Sequence, residues 1–175
     1  MQYTLIINSR NSAIEVFQNL RLRATLIDWV SWVFGKNTRL VPFYEKVSRP
    51  PTNFTYIGLR DIPVRKIVGS LGREKDFDAS FRPLKAHLRD RWVSIYLLFE
   101  KGEVPPIKVY KVDDVYYVED GHHRVSVANS RDMAFIQAEI WEYPPLGGKP
   151  AAVVQALPIC AGTAVRRRRS ALAKS

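Results

Sequence analysis

The stretch PPIKVYKVDDVYYVEDGHHRVSVANS, residues 105–130, decides how this chain is read. Two runs rich in β-branched and aromatic residues, IKVYKV (107–112) and VYYVE (115–119), flank the acidic pair Asp113 and Asp114. That is the pattern of a β-hairpin closed by a two-residue turn. Gly121 follows, and HHRVSVANS (122–130) then predicts a short helix. Beyond it, FIQAEIWE (135–142) alternates Ile136, Ala138 and Ile140 on one face of a further strand.

The junction DGHHR (120–124) has the most chemistry in it. Glycine at 121 lets the backbone bend and a ligand come close, because no Cβ stands in the way. A helix starting there has first amides without intrahelical acceptors, and these attract anions together with the positive end of the dipole. Arg124 adds a forked, permanently charged donor suited to phosphate. His122 and His123 can exchange protons near neutral pH. Small apolar Val125, Val127 and Ala128 let the helix pack closely on a sheet. A phosphate cradle uses all of these features together. A transition-metal site fits less well: adjacent histidines do not share a helix face, His87 is the only other histidine, and no zinc spacing is present. The plainer alternative, histidines that cap the helix or bond to a loop, stays open.

Upstream, YIGLRDIPVRKIVGS (56–70) predicts a short strand and its approaches, running into a glycine-containing loop, GSLGREKDFD (69–78). Phe81, Leu84, Leu88, Trp92, Ile95 and Phe99 then step by three or four, which predicts an amphipathic helix ending at Gly102. The first 52 residues predict a helical arm. In it SAIE (12–15) forms a capping box, and Ala13, Phe17, Leu20, Ala24 and Ile27 recur at helical spacing before Gly35. Trp29, Trp32 and Phe34 widen its apolar face into one able to bind a partner. TRLVPFYEKV (38–47) predicts a second short helix with Pro42 in its first turn, and SRPPTN (48–53) a linker. Residues 53–143 then form the main domain, and 144–175 a Pro/Gly linker and disordered basic tail.

Composition sets the outer bounds. The chain has 175 residues, 46% of them apolar, which predicts one globular domain that needs no disulfide or metal staple. Cys160 is the sole cysteine, so an intrachain disulfide and a cysteine-based zinc site are excluded, and a reducing cytoplasmic setting is expected. MQYTLIIN lacks the basic start of a signal peptide, and the apolar run at LIDWVSWVFG is interrupted by Asp28. No membrane partner is expected. Net charge is +10, and all 17 acidic residues lie at or before Glu142. From residue 144 onward only Lys149, Arg166, Arg167, Arg168, Arg169 and Lys174 are charged. The 21 Lys and Arg before that point, set against 17 acids, leave +4 on the body. DNA is therefore a candidate partner through Arg166, Arg167, Arg168 and Arg169, and a merely solvated tail is the alternative.

The longer string PPIKVYKVDDVYYVEDGHHRVSVA resembles the core of the ParB/sulfiredoxin superfamily: a proline–isoleucine strand, a hairpin, and a Gly-x-x-Arg-x-x-x-Ala helix in that order. IPVRKIVGSLGREKDFDASFRPLKAHL (62–88) resembles the entry strand, polar loop and first helix of the same domain, and the likeness spans residues 56–143. It implies an α+β fold, a small mixed sheet with packed helices, to which the arm and tail are additions. It also implies that Gly121, His122, His123 and Arg124 hold nucleotide phosphates, with Gly72 and Arg73 in the place of a second phosphate loop. Asp76 and Asp78 are then candidate Mg2+ ligands, or carboxylates complementing a helix dipole. Sulfiredoxins carry a reactive cysteine where this chain has His122, so sulfinic acid reduction is not expected. Partition-type ParB proteins read Glu-Arg-Arg after the glycine and continue into DNA-binding and dimerisation domains. Too few residues follow Tyr143 in this sequence for either, so a centromere-binding clamp is not expected.

The expectation is thus a ParB-like domain that binds a nucleoside di- or triphosphate with Mg2+, as a nucleotide hydrolase or switch associated with nucleic acid. Alternatives are a small-molecule kinase of the free-serine type, with Asp120 and His122 or His123 as acid–base groups, a metal-dependent nuclease, and a non-catalytic interaction module.

Overall fold

The hairpin of residues 107–120 occupies the middle of the sheet, and everything else is arranged on its two sides. A computed structural model describes residues 2–35, 38–47 and 54–143. In chain order the elements are α1 (Gln2–Val33), β1 (Val41–Pro42), α2 (Phe43–Lys46), β2 (Thr55–Pro63), β3 (Ile67–Ser70), α3 (Arg89–Lys101), β4 (Ile107–Val112), β5 (Val115–Asp120), α4 (His122–Ser130) and β6 (Phe135–Glu142). Among the described residues the strands form one six-stranded sheet in the order β1-β3-β5-β4-β6-β2. β4 and β5 pair antiparallel, with Val112 opposite Val115, and Asp113 takes φ 53 in the turn. β3 lies parallel to β5, and β6 parallel to β4. Parallel neighbours need crossovers; α3 lies on the path from β3 to β4, and α4 on the path from β5 to β6. The architecture is α+β, as expected from the sequence.

Alternation along the strands puts a core on each face. Val109 and Val118 join Ile107, Ile136, Ala138 and Ile140 beneath the helices, together with Trp92, Val125 and Val127. Tyr110 and Tyr117, one register position away, point to the opposite face, where Phe43, Val47, Phe54 and Tyr143 pack on them. Trp92 is fully buried; its ring lies 5.7 Å from Phe17 and 5.4 Å from Tyr96, and its Nε1 donates to Ser126 Oγ at 2.9 Å. That bond ties α3 to α4, and truncating such a side chain to alanine costs about 3–5 kcal/mol. Ala13 and Phe17 of α1 enter the same core, and β1 extends the sheet beside β3, so α1 and β1 supply a wall and an edge to the described residues 54–143. β1 approaches closely at Gly69, where a Cβ would lie 2.3 Å from the Val41 carbonyl oxygen.

The elements differ from the sequence expectations at several starts. Ser12 and Glu15 are exposed interior residues of α1, which begins ten residues earlier at Gln2. No glycine or proline interrupts residues 2–11, so the capping-box pattern has no helix start to cap. α3 begins at Arg89, after a 3₁₀ turn at Ala86–Leu88, and not near Phe81. Pro83 restricts Arg82 and has no amide to give a helix; Phe81 takes φ 56, and Lys85 is extended. Phe81 and Leu88 still reach the core, though Phe81 does so from a loop. Gly102 ends α3 with φ 73, as its position predicts. YIGLRDIPVRKIVGS holds two strands, β2 and β3, separated by a 3₁₀ turn at Val64–Lys66 after Pro63. In TRLVPFYEKV only Phe43–Lys46 is helical; Pro42 is its extended N-cap and completes β1. No helix among the described residues is long and apolar enough to cross a membrane. The linker at 48–53, the 144–175 segment with Cys160, and Arg166, Arg167, Arg168 and Arg169 lie outside the described residues.

Candidate functional site

The β5–α4 junction, the start of α3 and the loop after β3 enclose a cleft of about 500 Å3. Gly121 makes the junction possible. It is the N-cap of α4 with φ 104, and its carbonyl accepts from the Val125 amide at 3.0 Å. A Cβ there would lie 2.6 Å from Ile107 Cγ2 and 2.9 Å from Arg124 Nε, so the position needs glycine for both backbone and space. α4 therefore opens into the cleft, and His122, His123 and Arg124 line it.

Arg124 differs from the sequence expectation. Its Nη1 donates to the carbonyls of Pro105, at 3.0 Å, and Pro106, while Nη2 pairs with Asp120. The residue is only 8% exposed. Its fork is committed to the frame: it bolts the entry of β4 to the first turn of α4. The same pair neutralises Asp120, which the sequence offered as an acid–base group.

His122 also faces inward. Its Nε2 is 2.7 Å from the buried Ser70 Oγ, which in turn accepts from the Arg73 amide at 3.1 Å. A chain from α4 through β3 thus fixes the start of the loop. Burial above all, then the nearby Arg73, pushes the His122 imidazole down to about 4. His123 is half-buried, with its ring edge-on to Phe77 at 5.3 Å. Its Nδ1 is buried and has no partner among the described residues. Burial, followed by Arg91 and Arg73, pushes His123 down to about 4 as well. Both rings are neutral at pH 7.

The loop candidates separate. Arg73 lines the cleft and pairs with Asp76 at 2.9 Å while its side chain stays 56% exposed. Gly72, at φ 85, forms the turn and donates its amide to Glu74 Oε1, outside the cleft lining. Asp76 is held by Arg73 and Lys85, and these hydrogen bonds keep its carboxyl below the usual range against the opposing effect of burial. Asp78 accepts from the amides of Ser80 and Arg82 and from Arg82 Nε. These carboxylates staple the loop. They lie too far ahead of Arg89 to complement the dipole of α3, and no group of three His, Cys, Asp or Glu side chains among the described residues could hold a metal ion. Asp76 and Asp78 are both paired with cations of the loop, and neither lines the cleft.

Two cleft residues were not singled out from the sequence. His87 and Arg91 stand four positions apart and line the cleft from the side opposite α4. Among the described residues Arg91 has no ion-pair partner, whereas the two cleft acids do: Glu119 lies 2.9 Å from Lys108, and Asp120 is paired with Arg124. His87 lies in the 3₁₀ turn and Arg91 in the first turn of α3, so the available signal was two basic groups close in sequence ahead of the apolar stripe.

Comparison with known proteins gives little beyond this geometry. No family model matches the chain, and no curated protein matches it. Among solved structures, sulfiredoxin from Arabidopsis thaliana aligns with a TM-score of 0.36 at 19% identity, over 47% of this chain and 82% of that one.

Proposed function

We propose that this chain is a ParB/sulfiredoxin-type domain that binds the phosphates of a nucleoside di- or triphosphate in the cleft between α3 and α4. The observation that carries the reading is the charge of the cleft. Arg91, with no ion-pair partner among the described residues, and Arg73, paired with Asp76 but still exposed, approach the open first turn of α4. Glu119 and Asp120 are each paired with another cation. Unpaired helix amides and guanidinium groups are the donors that phosphate oxygens select. The volume suits a ligand of nucleotide size. The family assignment is supported by the motif string and by the β-hairpin, glycine and helix found in the same order.

The role first assigned to Arg124 passes to Arg91 and Arg73 in this reading, with Arg124 shaping the cradle. Mg2+ enters with the nucleotide and is held by its phosphates. The kinase and nuclease readings gain no observation of their own. An imidazole at about 4 is a weak base, Asp120 is paired, and no group of three metal-ligating side chains stands among the described residues.

The test is a thermal-shift panel of ATP, ADP, CTP and GTP. A nucleotide at a hundredfold excess over its Kd stabilises by about 2.7 kcal/mol, which raises the melting temperature by about 5–11 °C in a chain of this size. Arg91→Ala and Arg73→Ala should each abolish the shift. A flat response across the panel rejects the proposal. DNA association through Arg166, Arg167, Arg168 and Arg169 is a separate proposal, and steep loss of binding with added salt is its signature.

A further inference from the structure

The exposed side of α1 does not look like an ordinary solvated helix face. Ala13, Phe17, Ala24 and Ser31 are buried against the body. At 100° per residue, Leu22, Leu26, Trp29 and Val33 lie roughly opposite them. These four are 63%, 63%, 65% and 55% exposed, and Val30, Trp32 and Phe34 beside them are exposed as well. Their spacing is four, three, four, the seam of a helix pair.

We propose that this stripe binds a second copy of the chain, the two α1 helices packing antiparallel about a two-fold axis between positions 27 and 28. A two-fold interface must be complementary to itself, and the spacing four, three, four reads the same from either end. Leu22 then meets Val33 of the second copy, and Leu26 meets Trp29. The flanks match too: Arg21 comes to the side of Trp32 of the second copy, and Arg23 to that of Phe34, each pairing a cation with an aromatic face. The stripe stops where this alignment requires. Leu22 faces the last residue of the helix, Val33, and the preceding seam positions, Glu15 and Asn19, are polar and exposed.

The buried area is adequate. A buried aromatic side chain contributes ~150–250 Å2, so Trp29, Trp32 and Phe34, at 65%, 80% and 72% exposure, supply roughly 300–550 Å2 per protomer. The aliphatic residues bring this close to the ~800 Å2 per partner of a standard interface. A membrane surface would accept the same aromatics, but it does not require a stripe that is symmetric about its centre.

The test uses the full chain. Light scattering after gel filtration should give the two-chain mass for wild type and half of it for Leu26→Glu. The circular dichroism of the variant should be unchanged, because Leu26 is exposed in the single chain. Orientation is read by oxidative cross-linking in a Cys160→Ser background: a mixture of Leu22→Cys and Val33→Cys chains should cross-link, and neither alone should, because each position lies about 16 Å along the axis from its own copy. A one-chain mass for wild type overturns the proposal, as does a dimer that survives Leu26→Glu. Cross-linking of each single variant with itself would show a parallel pair and reject the geometry. Binding of a monomeric wild type to phosphatidylserine vesicles, lost in Leu26→Glu, would assign the face to lipid.

Discussion

Replacing Arg124 with alanine should injure the frame before it injures binding. The guanidinium makes two charge-assisted bonds to the Pro105 and Pro106 carbonyls and one ion pair with Asp120. The Asp120 side chain is 72% exposed, so that pair contributes little to stability. Each bond to a charged donor contributes ~1.5–3 kcal/mol. Pro105 is exposed, so water can replace part of the loss, and the net cost is about 3 kcal/mol. For a chain of this size that lowers the melting temperature by about 6–12 °C. Lysine reaches one acceptor instead of two, so Arg124→Lys should fall between alanine and wild type. Differential scanning calorimetry without nucleotide is the assay. If Arg124→Ala melts at the wild-type temperature yet has lost its nucleotide shift, the guanidinium serves the ligand and the frame argument fails.

Gly121→Ala should destabilise by a further mechanism, since φ 104 and the 2.6 Å approach to Ile107 both oppose a methyl group. Backbone strain of ~1–2 kcal/mol and overpacking of ~1–3 kcal/mol predict a loss readable in urea titration, and wild-type stability would contradict the geometry. Gly69→Ala drives a Cβ into the Val41 carbonyl and the Tyr117 ring, so it should detach β1, seen as faster hydrogen exchange at Val41 than in wild type. The two cleft histidines set a pH dependence. Their folded values lie below the ordinary 6.5, so the unfolded chain binds more protons between about 6.5 and 4. Stability should therefore be complete above that window and fall as pH drops through it. His122→Gln should flatten the fall, and a profile identical to wild type would show that His122 binds its proton equally in the folded and unfolded chain, against its burial beside Ser70.

What could be read from the sequence was governed by local chemistry. The β4–β5 hairpin, the glycine break and α4 follow from alternation and from residues whose backbone preferences act within a few positions. The start of α3 did not follow, because the three-and-four stepping of Phe81 and Leu84 matches a helix until Pro83 is weighed against it. Gly121, His122 and His123 were placed at the cleft by their motif. The work of Arg124 was not legible, because its acceptors lie 18 and 19 positions away and are backbone carbonyls, which leave no mark in side-chain identity. His87 and Arg91 were passed over for a related reason. Basic groups beside the apolar stripe of an amphipathic helix look like solvated residues until the fold brings another element across from them.

The seat of Trp92 between Phe17, Tyr96 and Ser126 gives the protein an intrinsic optical gauge. Of the four indoles, Trp92 is sealed, while in the single chain, the state expected of Leu26→Glu, Trp29 and Trp32 stand in water. A soluble quencher such as acrylamide should therefore extinguish a red-shifted emission first and leave a blue one that persists for as long as α1, α3 and α4 stay docked. The colour of the light left unquenched would follow the docking of three helices without any label.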